Sequence, residues 1–280
     1  MSNCQSCPSN GNCSRQNNNQ QNTCGVVNNP KNRVKHIIGI MSGKGGVGKS
    51  TVTAILAVEL KRRGFKVGIM DADITGPSIP RLFGINNQRA TGDGTYIYPV
   101  KTSEGIDVMS MNLLMPQETQ PVLWRGPMIG GAVQQFWTDV VWGELDFLLV
   151  DMPPGTGDVA LTVMQSIPVT GLVMVSTPQS MVSMIVAKAV NMADKMGIKV
   201  LGVVENMTYI TCPDCGKRID IYGKNASQEA ANKVGVKLLG ELPMDKDLME
   251  LSDEGRVEKF EAFREEFKNI SDSILGSINV

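Results

Sequence analysis

A chain of 280 residues with 42% apolar content can build a sizeable core, as one large α/β domain or two small ones. Its net charge of −1 supplies no global field suited to nucleic acid or to an anionic membrane. There is no run of about 18 apolar residues for a transmembrane helix, and the N-terminus lacks the basic-then-apolar order of a secretory signal.

Residues 1–33 differ in composition from the rest, with ten Asn, four Gln, four Ser, no acidic residue and almost no apolar side chain. Such a segment buries too little surface to offset its ordering entropy. It is expected to be a disordered, flexible tail ahead of a domain over residues 34–280. The tail holds four of the six cysteines, Cys4, Cys7, Cys13 and Cys24, spaced C-x2-C-x5-C-x10-C. In a chain without a signal peptide, these read as metal ligands in a reducing cytoplasm rather than as disulfides. Four thiolates suffice for a 4Fe-4S cluster or a zinc ion. A thiol-bearing tail without a stable metal is the alternative.

Val34 to Met41 is a β-branched apolar run and predicts a buried parallel strand, with His36, the one histidine, as a structural residue at its start. Gly43-Lys44-Gly45-Gly46-Val47-Gly48-Lys49-Ser50-Thr51 follows, and then a helix from about Lys49 to Arg63. Ile55, Leu56, Val58 and Leu60 form its core face, and Gly64 closes it. Strand, glycine loop and helix in this order make a phosphate-binding loop, with Gly43, Gly48, Lys49 and Ser50 filling G-x-x-x-x-G-K-S/T. The glycines let backbone N–H groups turn toward the phosphates of ATP, at the positive end of the helix. Lys49 is expected on the β- and γ-phosphates and the Ser50 hydroxyl on Mg2+.

Lys66 to Met70 predicts the second strand, with Asp71 and Asp73 at its carboxyl end, where open α/β sheets place ligands. Tyr96 to Val100 and Ile106 to Met111 read as short strands near a Gly92–Gly94 turn, and Met128 to Val140 as a helix. Leu145 to Val150 is an apolar strand ending in Asp151, a Walker B arrangement that places Asp151 on Mg2+ through a water, beside Ser50. Pro153-Pro154-Gly155-Thr156-Gly157-Asp158 then reads as a loop able to move with the γ-phosphate. Leu172 to Thr177 and Lys199 to Val204 predict strands, with a helix over Ser180 to Met196 between them. Asn206, at a strand end, has the amide geometry to read adenine, its C=O accepting from N6 and its NH2 donating to N7; a capping role is the alternative. Cys212-Pro213-Asp214-Cys215-Gly216 is a metal knuckle with only two sulfurs, whereas a closed site takes four ligands. Two copies around a twofold axis supply four, so the count points to a cluster bridging a homodimer. A redox C-x-x-C pair and a zinc bridge are the competing readings. Residues 224–234 suggest a helix, Lys237 to Leu242 a last strand, and Glu254 to Leu275 a charged amphipathic helix whose Phe260, Phe263 and Phe267 dock on the core.

The Lys44-to-Thr51 loop resembles the deviant Walker A loop of the MinD/ParA-like ATPases, which are SIMIBI-type P-loop NTPases. That resemblance implies that Lys44 reaches across a dimer to the partner's ATP and that Asp73 positions the hydrolytic water. Asp151-x-Pro-Pro-Gly-Thr-Gly-Asp158 and the string Asp71-Ala-Asp73-Ile-Thr-Gly-Pro-Ser78-Ile-Pro80 resemble the Mrp/ApbC branch, the iron–sulfur cluster carriers, over roughly residues 34–250. The resemblance implies a labile 4Fe-4S cluster on Cys212 and Cys215 at a dimer interface, and supports Asn206 on the base. Related eukaryotic scaffold ATPases carry a leading cysteine far ahead of C-x2-C-x5-C; here Cys4, Cys7 and Cys13 reproduce the short part and Cys24 lies downstream. The expectation is a doubly wound α/β domain with a mostly parallel sheet. It is expected to act as a cytoplasmic homodimeric ATPase that takes clusters from donors and gives them to apo iron–sulfur proteins, binding neither nucleic acid nor membrane. A MinD/ParA-like positioning ATPase and a reductase like the nitrogenase iron proteins are the alternatives.

Overall fold

The computed structural model describes residues 28–74, 76–116, 126–178, 180–223 and 226–280. The chain runs through β1 (Arg33–Ser42), α1 (Lys49–Arg62), β2 (Val67–Asp71), α2 (Ile79–Leu82), β3 (Thr91–Gly92), β4 (Ile97–Tyr98), β5 (Val100–Lys101) and β6 (Asp107–Met109). It continues through α3 (Gly126–Thr138), β7 (Glu144–Asp151), α4 (Asp158–Ser166), β8 (Gly171–Ser176), α5 (Ser180–Lys195) and β9 (Val200–Glu205). The hairpin β10 (Tyr209–Thr211) and β11 (Arg218–Asp220) precedes α6 (Ala226–Val234), β12 (Leu238–Glu241), α7 (Lys246–Asp253) and α8 (Arg264–Ser277).

Eight strands form one sheet in the order β12-β9-β8-β1-β7-β2-β6-β5, parallel throughout except for the β5 edge. β1 lies between β7 and β8, so the strand order reverses there, and the loop leaving its carboxyl end opens at that crevice. The strands alternate side chains between two cores. Ile38 and Ile40 of β1 and Phe147 and Leu149 of β7 join α1 and α8 on one face. Ile37 and Met41, with Leu148 and Val150, join α3 and α4 on the other. Among the described residues no helix is long and apolar enough to cross a membrane.

The chain is seated on the domain a few residues before Val34. Trp137 Nε1 donates to Asn28 Oδ1 at 2.9 Å, and the Nδ2 groups of Asn29 and Asn32 donate to Val140 O at 3.2 and 2.9 Å. The expectations for residues 1–27, including Cys4, Cys7, Cys13 and Cys24, lie outside the described residues.

Three expected elements are corrected. The stretch 96–111 is not two strands but four short pieces: β4 pairs with β3 apart from the main sheet, β5 and β6 form its edge, and Met111–Leu113 is a 3-10 turn. The loop expected after Asp151 ends at Gly157, and α4 begins at Asp158; Ala160, Val163, Met164 and Ile167 are buried at helical spacing. The charged helix expected over Glu254 to Leu275 forms only from Arg264 onward, as α8; residues 254–263 form a break with a 3-10 turn over Val257–Lys259, and α7, which ends at Asp253, was not among the expected elements. Long-range contacts cause the break. Arg62 of α1 donates to the carbonyls of Glu258 at 2.8 Å and Phe260 at 3.2 Å, drawing them out of any helix ladder. Gly255, at φ +69, passes so close to Gly84 that an added Cβ would lie 2.6 Å from Gly84 Cα. Phe260 and Phe267 are buried in the core and the partly buried Phe263 packs against it, as expected; Phe263 also caps α8 from the left-handed region at φ 56.

Gly255→Ala combines a left-handed backbone with a backbone clash, and it should cost about 2 kcal/mol or more of stability. Gly276→Ala, at a helical position with open space around it, should be neutral or gain a few tenths. Urea unfolding of the two variants checks the contrast.

Candidate active site

β1 ends at Ser42 and the glycine loop turns directly into α1. Gly48 takes the N-cap position at φ 78, and its carbonyl accepts from Val52 N at 3.0 Å. No side chain caps this helix, so the N–H groups of its first turn are left to a bound anion. A Cβ on Gly48 would sit 2.3 Å from Asn206 Nδ2, because Asn206 packs against the loop and donates to Val47 O at 2.9 Å. Asn206 Oδ1 accepts from Met207 N at 3.0 Å. One amide hydrogen and one lone pair of Asn206 are thus committed to the protein, which leaves one of each for an adenine edge.

The first turn of α1 faces Asp151 at the end of β7. Lys49 Nζ donates to Asp151 Oδ1 at 2.7 Å, and both side chains are buried. Ser50 Oγ donates to Asp151 Oδ2 at 2.6 Å. The Thr53 hydroxyl lies 3.0 Å from Asp151 Oδ1 and 3.0 Å from Lys49 O. Ser50 and Asp151 therefore present adjacent oxygen donors, a set that suits Mg2+, with the Lys49 ammonium beside them, a charge that suits phosphates. Thr53 was not among the residues read from the sequence; its signal is the helical i+4 spacing from Lys49.

Asp71 stands opposite Asp151 in the β2–β7 register and is fully buried. Burial, and next the facing Asp151, push its carboxyl up to about 8 against the pull of Lys49. It accepts from Ser110 Oγ at 3.1 Å and from the N–H groups of Ile79 and Asp73, each at 3.3 Å. Asp71 thereby shapes the turn that carries Asp73, which is half-buried at the mouth of the site. Lys44 is half-buried in the loop, and Ser42 Oγ donates to its carbonyl at 3.0 Å. Gly155 N donates to Ser42 O at 2.8 Å, so the loop after Asp151 is tied to the end of β1.

Cys212 and Cys215 lie apart from this cluster, in the turn of the β10–β11 hairpin. Cys212 N donates to Lys217 O and Gly216 N to Cys212 O, both at 2.9 Å, closing a knuckle. Backbone N–H groups of Cys215 and Asp214 hold the Cys212 thiol below its ordinary value, which favours the ligating thiolate. Cys212 is half-buried and Cys215 exposed. Arg218 anchors the hairpin through Glu241 at 2.7 Å and Asp220 at 2.6 Å, and lies 3.9 Å over the Tyr209 ring. Among the described residues no group of three or more His, Cys, Asp or Glu could hold a metal. The hairpin's two thiols are half of a four-thiolate set.

Removing Lys49 leaves the Asp151 carboxylate buried without its cation and facing the Asp71 carboxyl. Lys49→Ala should abolish nucleotide binding and, measured without nucleotide, should cost about 3 kcal/mol of stability. Adding Asp151→Asn should restore most of that stability and none of the binding. Urea unfolding and nucleotide titration of the two single variants and the double variant test this.

A family model described as ParA, NUBPL iron-transfer P-loop NTPase, matches residues 33–278. An iron-sulfur cluster carrier protein of Clostridium perfringens is 56% identical over 236 residues, covering 82% of this chain and 83% of that protein. One from Methanocaldococcus jannaschii is 45% identical over 253 residues, covering 90% and 87%. Among solved structures, the nucleotide-binding protein of Archaeoglobus fulgidus in complex with ADP is 47% identical, with a TM-score of 0.74 over 84% of this chain and 92% of that one. The cell division ATPase MinD of Pyrococcus furiosus shares the fold at 23% identity, with a TM-score of 0.61 over 86% and 98%. With the family model matching residues 33–278 and carrier proteins of up to 56% identity over most of the chain, the chain belongs to the ParA-type, NUBPL-like iron-transfer P-loop NTPases, the family of the iron-sulfur cluster carrier proteins.

Proposed function

We propose that this chain is an ATP-dependent iron–sulfur cluster carrier that holds a 4Fe-4S cluster between two copies of itself and passes it to apo-proteins. The observation that carries this reading is the β10–β11 hairpin. It offers two thiols, one exposed and one half-buried, with backbone N–H groups trained on Cys212, and they are the only cysteines among the described residues. A second copy related by a twofold axis supplies the other two thiolates. Four soft sulfur donors without a hard ligand suit a cluster, and exposure at a hairpin tip suits one that must leave.

ATP binds at the glycine loop in this reading, with its base on Asn206 and its phosphates over Gly43 to Thr51. Ser50 and Asp151 hold Mg2+, which neutralises the phosphate oxygens when bound. Asp73 orients the attacking water and Lys44 reaches the partner's phosphates, so that hydrolysis needs the dimer. Drawing two half-sites apart weakens all four thiolate bonds together, which makes dimer geometry a natural control on the cluster. A reducing cytoplasm keeps such thiols available, and apo iron–sulfur proteins and cluster donors are the partners. The positioning-ATPase alternative is weakened by α8, whose Phe267, Ile270 and Ile274 are buried against the core rather than presented to a lipid surface.

Anaerobic reconstitution with iron and sulfide tests the proposal, run on the full chain and on a chain lacking residues 1–33. The truncated protein should run as a dimer with about four irons. Cys212→Ala in it should lose the iron while the monomer stays folded. A truncated protein that takes up no iron, or only zinc, contradicts the carrier reading. Lys44→Ala should lower ATP turnover by about a thousandfold while leaving nucleotide affinity within a few-fold, read by steady-state hydrolysis and titration.

A further inference from the structure

Glu205 is the last residue of β9, next to Asn206, and nothing in the chemistry above uses it. Its side chain is buried, yet its Oε2 has no hydrogen-bond partner among the described residues. Thr177 Oγ1, just past the end of the neighbouring β8, is buried and likewise without a partner among the described residues. Both residues line the same cavity of about 10 Å3, with Ser176 beside them and apolar side chains of α5 and α6 closing it. Two buried polar atoms without a partner are costly, and a space of this size with two polar groups on its wall holds one water.

The strand ends around this cavity carry the base-reading residue. Ser176 and Glu205 are register partners, and Asn206 N donates to Ser176 O at 2.7 Å. Leu242 N donates to Glu205 O at 2.9 Å, which ties in the strand leading to Pro243. Asn206 and Pro243 both line the small pocket beside Thr51 at the start of α1. We propose that a single water fills the cavity, joining Thr177 Oγ1 to Glu205 Oε2, and that through this link Glu205 is a positioning residue for Asn206. This rests on the reading of Asn206 as the base-contacting residue.

The link works best with a neutral Glu205, whose O–H donates to the water while the water donates to Thr177. Burial, first, and the charge of Glu241 on β12 push the Glu205 carboxyl up to about 7, against a hydrogen bond from Ser176. Glu241 is itself paired with Arg218, and the cavity walls from α5 and α6 are apolar. An acid whose folded value lies above its unfolded one keeps a proton that the unfolded chain has lost. The folded state therefore loses stability as pH rises from the ordinary carboxylate range to about 7. Above that point the ionised carboxylate is buried in a cavity walled mostly by apolar side chains, and the end of β9 loosens together with Asn206.

The test is ATP affinity of the full chain and of Glu205→Gln at pH 6 and pH 8, compared as a ratio at each pH so that ionisation of the nucleotide cancels. The two proteins should bind alike at pH 6, and at pH 8 the natural chain should bind about fivefold more weakly than the glutamine variant, the worth of one hydrogen bond. Thr177→Val should weaken binding by a similar factor at pH 6. A ratio that is the same at both pH values overturns the positioning role. A high-resolution crystal structure of the full chain should show a water within hydrogen-bond distance of both side chains; a dry cavity overturns the link whatever the variants do. Asn206→Ala binding ATP and GTP as the natural chain does would instead remove the base-reading assignment, and the positioning role with it. The water and the pH dependence of unfolding would still report on Glu205 itself.

Discussion

A buried carboxylate on a parallel strand is the constraint around which this molecule is arranged. Asp151 ends β7 directly across from Asp71 on β2, and both are removed from water. Two such groups on neighbouring strands repel, and in a low-dielectric interior they need a cation and hydrogen-bond donors close by. The first turn of α1 supplies them from one short stretch: Lys49, Ser50 and Thr53 all reach Asp151. For that turn to face β7, the chain leaving β1 must reverse within six residues, which the left-handed Gly48 permits. The phosphate loop is thus the backbone path that brings compensating groups to a buried acid. In the proposed function, the donors that satisfy the acid are also the ones that a nucleotide and Mg2+ engage.

The local parts of this arrangement were legible in the sequence because the chemistry and the backbone requirement sit in adjacent residues. Gly43 to Thr51 specifies its own turn, and the apolar runs ending in Asp71 and Asp151 announce the strands and their ligand-facing ends. Contacts across the sheet or between distant loops were not legible. The break between α7 and α8 depends on Arg62 taking two carbonyls almost two hundred residues away and on Gly84 meeting Gly255, and a sequence window over 254–275 shows only an amphipathic pattern. α4 was hidden because its first turn follows directly on a glycine-rich motif that reads as loop. Thr53 and Glu205 look like ordinary helix and strand residues until β7 and β8 are placed beside them.

The thiol hairpin follows a different logic. Arg218, held by Glu241 and Asp220 and stacked on Tyr209, fixes the hairpin's base, while its tip carries exposed sulfur. A rigid base and an open tip suit a group that is held between partners rather than enclosed by one chain. In the proposed account the nucleotide loop and the hairpin are joined only through the geometry of the dimer. Lys44 links one copy's loop to the other's phosphates, and the cluster links one hairpin to the other.

That coupling is the central claim, and the rate of cluster transfer tests it directly. The reconstituted dimer, mixed with an apo-protein that accepts a 4Fe-4S cluster, should transfer at rates that differ about tenfold or more between ATP and no nucleotide, a difference of about 1.4 kcal/mol in barrier. The difference should vanish in Lys44→Ala. Equal rates with and without ATP would contradict the account and leave the nucleotide site and the hairpin as independent features of one fold.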